Sequence, residues 1–113
     1  MDISDFKSSR YNIIGLSSKI KGELHLSGRS SIEGSVEGNI FSDDESMVII
    51  EKNASIIGNV NAYDIEVFGK VVGELNARGT LSLRPGSQVE GTIKSERLVI
   101  YPGALVNTKA HAG

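Results

Sequence analysis

Ile56-Ile57-Gly58-Asn59-Val60, then Val71-Val72-Gly73-Glu74-Leu75, then Val89-Glu90-Gly91-Thr92-Ile93: three copies of aliphatic-x-Gly-x-aliphatic follow one another in the second half of this 113-residue chain. Working outward, Ile32-Glu33-Gly34-Ser35-Val36 and Ile20-Lys21-Gly22-Glu23-Leu24 read as earlier copies. Leu105-Val106-Asn107 reads as a last one, with Asn at the glycine position, the commonest replacement where a positive φ is required. From Gly34 the glycine position advances by 24, 15, 18 and 16 residues. A short period of this kind is the signature of a solenoid, whose units bury their apolar faces only against neighbouring units.

Composition agrees with strands rather than helices. Isoleucine, valine and leucine total 30, against six aromatics and six alanines, so the interior is built from aliphatic, largely β-branched residues. The length suits one domain. A net charge of −2, with acids and bases interspersed, argues against a nucleic-acid surface. The absence of cysteine removes disulfides and thiolate metal sites. No apolar run approaches the roughly 20 residues of a membrane-spanning helix, and the acidic start is unlike a secretory signal. The expectation is a cytoplasmic protein.

Each turn reads as three short strands. The first carries two inward aliphatics at period two: Leu24 and Leu26, Val48 and Ile50, Ile65 and Val67, Leu81 and Leu83, Leu98 and Ile100. A corner follows at Gly28, Asn53, Gly69, Gly86 or Gly103. The second strand holds the glycine motif, and the third ends on a small residue: Gly38, Ala62, Ala77 or Ser95. A sandwich of hairpins would call for two-residue Asn-Gly or Asp-Gly turns, and the sequence has none. The expected fold is therefore all-β: a single right-handed parallel β-helix of about five to six turns over 16–107, with disordered tails at 1–15 and 108–113. The link from Gly38 to Val48 is about six residues longer than its counterparts and contains Phe41 and Asp43-Asp44-Glu45. It reads as a solvated insertion at one corner.

Chemistry is scarce. His25 lies between inward Leu24 and Leu26 and so faces solvent, and His111 lies in the polar tail. Neither has a second histidine or a carboxylate at ligand or triad spacing. The glycines mark the period rather than a phosphate loop. No catalytic, cofactor-binding or metal-binding residue is expected, and no small-molecule substrate. On the outer face, Ile57 and Val72 precede motif glycines in successive turns, and Ile49 and Val99 are further outward aliphatics.

The ends of the rod carry more information than its sides. A parallel β-helix exposes unpaired strand edges and an apolar cross-section at each end, and soluble solenoids cap them. Leu98, Ile100 and Leu105 read as the inward residues of the last turn, and Ile20 and Leu24 as those of the first. Neither flanking segment has an apolar stripe long enough to form a covering helix. Open ends template addition of another copy, and repetition at both ends gives an open filament.

The repeat as a set, with the block Ile20-Lys21-Gly22-Glu23-Leu24-His25-Leu26, resembles the bactofilins over roughly Leu16 to Asn107. The resemblance implies nucleotide-independent assembly into non-polar filaments, with bacterial cytoskeletal roles in cell shape, polarity or cell-wall enzyme recruitment. It also implies that an apolar-basic start, here Ile3, Phe6, Lys7 and Arg10, reaches the inner membrane, although Asp2 and Asp5 oppose attraction to anionic lipid. The plainer reading of that start is a disordered leader. Two rival classes stand beside the polymer: a non-polymerising β-helical binding module, like the C-terminal domain of the division regulator MinC, and a left-handed β-helix acyltransferase. The second needs constant turns of 18 residues, which this period does not keep.

Overall fold

The chain forms a parallel β-helix in this computed structural model, which describes residues 2–7, 11–15, 19–43 and 45–112, with side chains described for residues 15, 19–43 and 45–107. Eleven strands share one sheet. They are β1 (Asp2–Lys7), β2 (Tyr11–Ile14), β3 (Lys19–Leu26), β4 (Arg29–Ile32), β5 (Ser35–Ser42), β6 (Met47–Ile50), β7 (Ser55–Ala62), β8 (Asp64–Val67), β9 (Lys70–Leu83), β10 (Gln88–Ile100) and β11 (Leu105–Ala112). All pairings are parallel and fall into two columns. The long column runs β1, β3, β5, β7 and the first part of β9, then the first part of β10 and β11. The short column runs β2, β4, β6 and β8, and ends on the last residues of β9 and β10.

A glycine bends each of the long strands β3, β5, β7, β9 and β10. Gly22, Gly38, Gly58, Gly73 and Gly91 stand in register one above the other, with φ between 119° and 142°. Each turn therefore has three flat faces, here termed A before the glycine, B after it, and C for the short strand. A Cβ built at Gly73 would fall on the carbonyl oxygen of Gly58, and the same collision with the preceding turn recurs at Gly38, Gly58 and Gly91. Backbone conformation and space both exclude a side chain there.

Inside, like stacks on like. On face A the ladder is Ile20, Val36, Ile56, Val71, Val89 and Val106. On face C, Ile32, Ile50, Val67 and Leu83 are all fully buried. Burying each such side chain contributes about 1.5–3 kcal/mol. No turn could retain that alone, because each supplies only one layer of the stack.

The first turns are phased differently from the sequence reading. The copy in register is Val36-Glu37-Gly38-Asn39-Ile40, and Gly34 lies at the corner between β4 and β5. Leu24 and Leu26 belong to face B, so the residues in line with Val48 and Ile50 are Ser30 and Ile32. Gly28 accordingly sits at the B–C corner, not with Gly69 and Gly86. The small residue in register with Ser95 is Ala77, with Ala62 one turn earlier, while Gly38 is a glycine of the bend. At the other end Thr108, not Asn107, pairs with Gly91, so the whole of β11 is one residue out of the expected phase. Finally, β1 pairs with β3 and β2 with β4 where the sequence reading places a tail, and β11 extends through 108–112. Short polar-apolar strands without a glycine motif carry little local signal; pairing to an existing edge is what recruits them.

The close approach of the glycines gives a direct test. Gly73→Ala should cost roughly 3 kcal/mol or more, through strain plus collision. Gly86→Ala has a positive φ of 89° but open space around the added Cβ, and should cost only about 1–2 kcal/mol. Urea denaturation followed by circular dichroism measures both; equal costs would mean that the turns are not held this closely at the glycines.

Candidate assembly surfaces

β11 lies on Gln88–Ser95 of β10, covering faces A and B, whereas Arg97–Ile100 on face C has no strand above it among the described residues. The inward residues there lose their cover. Leu83 is fully buried, and Ile100 one layer above it is 50% exposed. Leu98 and Val106 are half-buried against the core. Leu105, expected to point inward, stands in register with exposed Gln88 and is itself 65% exposed. Val106 takes the inward place, stacked on Val89. A one-residue change of phase moves every side chain to the opposite face.

The corner leading into β11 is anchored from below. The Arg84 guanidinium lies over the Tyr101 ring at 4.4 Å and over the Phe68 ring at 5.8 Å, and its Nε donates to Glu66 Oε1 at 3.1 Å. The three partners lie 16 to 18 positions from Arg84, so no local motif reveals them; the turn period places them at one corner. Tyr101 is the last ring of this stack among the described residues. Backbone bonds complete the corner, with Leu105 N donating to Ser87 O at 2.8 Å and Gly86 N to Gly103 O at 3.1 Å.

At the opposite end Ile20 and Leu24, expected to lie bare, are 7% and 0% exposed. β1 pairs with their strand, with Asp2 in register with Lys21 and Phe6 with Leu24. The terminal edges there belong to β1 and β2. Of the residues considered for membrane contact, Ile3, Phe6 and Lys7 lie in β1, where the backbone alone is described, and Arg10 lies outside the described residues.

The sides are largely accounted for. Ile57, 54% exposed, does neighbour Val72 on face A, between Glu37 and Glu90. Ile49 was expected to be exposed and is only 9% so. His25 stacks on Phe41 with centroids 5.3 Å apart and lies 3.3 Å from Glu23. The corner from Asp43 to Ser46 is four residues long where Tyr63 alone serves in the next turn, so the extension is smaller than the misphased alignment implied. Arg78 closes over it, its Nη2 donating to the carbonyls of Ser42 and Asp43 at 2.8 Å each. Asp43 Oδ1 accepts from Gly28 N at 3.4 Å, and Asp44 lies outside the described residues. Among the described residues no group of three His, Cys, Asp or Glu side chains is placed to hold a metal ion. No helix is long and apolar enough to cross a membrane.

A family model described as bactofilin, polymer-forming cytoskeletal, matches residues 12–111. The chain belongs to the bactofilin family. Bactofilin BacO of Myxococcus xanthus (strain DK1622) is 32% identical over 92 residues, which cover 81% of this chain and 71% of BacO. Bactofilin BacP of the same organism is 28% identical over 101 residues, 89% of this chain but only 41% of BacP. No solved structure matches the chain significantly. Membership makes this a polymer-forming cytoskeletal protein rather than a member of an enzyme family.

The Arg84 stack is predicted to hold the terminal corner. Arg84→Ala should lower stability by about 1 kcal/mol, and Arg84→Lys should recover less than half, since an ammonium does not stack as a guanidinium does. Chemical denaturation of dilute protein reads this, and a Lys variant equal to the native chain would remove the stacking account.

Proposed function

We propose that this bactofilin polymerises end to end, without nucleotide, into non-polar filaments that scaffold cell shape, polarity or the recruitment of cell-wall enzymes. The observation that carries the reading is the open last turn: an unpaired strand edge at Arg97–Ile100 with Leu98, Ile100 and Val106 only partly covered. Backbone donors and acceptors at that edge gain partners, and the apolar residues lose water, when a second copy stacks on it. Nothing in this account needs nucleotide energy. Like ends meeting like ends make isologous contacts at each junction, and alternation of two such contacts yields a filament without polarity. Cell-wall enzymes, or the inner membrane reached through the segment from Ile3 to Arg10, are the partners such a scaffold would gather.

Electron microscopy and sedimentation of the purified chain, with no nucleotide or metal added, test the reading; filaments are expected, and a monomer at high concentration would overturn it. Ile100→Arg is expected to dissolve filaments while leaving a folded, β-rich species, because at a free end the guanidinium reaches water. In a junction the same charge would be buried unpaired at a cost of several kcal/mol. Leu83→Arg, one layer deeper in the same ladder, is expected to unfold the domain instead.

A further inference from the structure

Alternation along each strand turns two residues of every face-A segment outward, and stacking arranges them in two columns. One column reads Lys19, Ser35, Ser55, Lys70 and Gln88; the other reads Lys21, Glu37, Ile57, Val72 and Glu90. All are exposed except Ser55 and Val72, which are half-buried, and Ile57 keeps 54% of its surface. The space between the columns is recessed, with a groove of about 170 Å³ beside Lys21, Glu37 and Ile57 and another of about 320 Å³ beside Lys70 and Glu90. Among the described residues, none of Lys21, Glu37, Lys70 and Glu90 forms an ion pair within the chain. An apolar centre flanked along the rod by such charges, of both signs, is matched by a surface that carries them in the reverse order.

A second copy of the same face carries that order. Counted from Ile57, Lys21 lies two turns toward the N-terminal end and Glu90 two turns toward the C-terminal end, while Glu37 and Lys70 lie one turn away on either side. A two-fold axis that follows the strand direction and passes over Ile57 sets two copies face to face, with their rods running in opposite directions. Lys21 of each copy then meets Glu90 of the other, and Ile57 meets Ile57. Glu37 lies diagonally within reach of the other's Lys70. The recess between the columns gives the two isoleucines room to interdigitate.

Every neighbouring register brings like charges together. Half a turn toward the C-terminal end sets Glu37 against Glu90, and half a turn the other way sets Lys19 against Lys70. A full turn in either direction sets Lys70 on Lys70 or Glu37 on Glu37. An axis along the rod, which would make the copies parallel, sets Lys19 against Lys21. Charge alone therefore selects one arrangement.

We infer that filaments of this chain pair side by side through face A, with facing subunits antiparallel and Ile57 on the two-fold axis. The inference goes beyond the end-to-end polymer and rests on it for strength. Five turns at about 4.8 Å each, across a strand segment about 10 Å wide, bring roughly 250 Å² of each copy into contact. A stable complex of two monomers needs about 800 Å² per partner. A single face-A contact is too small for that, and the same contact repeated between two polymers is additive.

Charge reversal tests the pairing. Lys21→Glu and Glu90→Lys each replace attraction by repulsion at both ends of the contact, and the double variant restores attraction with the signs exchanged. Electron microscopy should show paired filaments from the native chain, single filaments from either variant, and pairs again from the double variant. The chain has no cysteine, so Ile57→Cys gives an independent reading. On the axis its thiol meets its own image, and oxidation of assembled protein should yield covalent dimers. Val72→Cys, whose image lies two turns or roughly 10 Å away, should not. Pairs that persist in both single variants, or that fail to return in the double variant, would overturn the inference. Dimers from Val72→Cys with none from Ile57→Cys would do the same. Native filaments that stay single would overturn the pairing and leave the polymer reading intact; if they also bind anionic vesicles through Lys21, the face belongs to a lipid surface. Native protein that forms no filaments would overturn both.

Discussion

The turns of this solenoid approach one another most closely at a single column of glycines, and most of the fold is organised by that approach. With φ between 126° and 142° and a neighbouring carbonyl occupying the place of a Cβ, Gly38, Gly58, Gly73 and Gly91 admit no substitute. The bend they impose turns an eight-residue strand into two faces. Those faces, with the short strand, enclose one triangular column of aliphatic residues. Spacing between turns is then the ordinary spacing of paired strands, and ladders such as Leu24, Ile40, Val60, Leu75 and Ile93 can interlock.

A column closed on three sides has no cover of its own over its last layer among the described residues. In a globular domain the last apolar layer is covered by another element; here the layer above Leu83 is Ile100, half exposed, on an edge strand without a neighbour among the described residues. On the proposed reading, the architecture turns a packing requirement within the chain into an affinity between chains. Membership in a polymer-forming family agrees with that logic. On the sides, several groups are engaged locally: His25 on Phe41, Arg78 over the Asp43 corner and Arg84 between Phe68 and Tyr101.

Corners carry the specific side-chain chemistry of this rod. Arg78 and Arg84 each bind groups one or two turns away, 16 to 36 residues off in sequence. The Arg84 stack ends on Tyr101, directly before the strand that forms the open end.

From the residues alone, the class of fold was readable, because aliphatic-x-Gly-x-aliphatic at a short period has few physical solutions other than a stacked coil. The inward ladders from Ile56 to Leu83 were equally legible, since period-two alternation is a local property. Phase was not. Ile32-Glu33-Gly34-Ser35-Val36 and Val36-Glu37-Gly38-Asn39-Ile40 are equivalent as local patterns, and only hydrogen bonding to the turns on either side selects Gly38. The same ambiguity put Leu105 inside in place of Val106, and it left β1 and β2 unread although β1 pairs with β3 and β2 with β4. A strand's period is written in its own residues, but its register belongs to the pair it forms. That is why the repeat was determined by the sequence and the ends of the rod only by the tertiary structure.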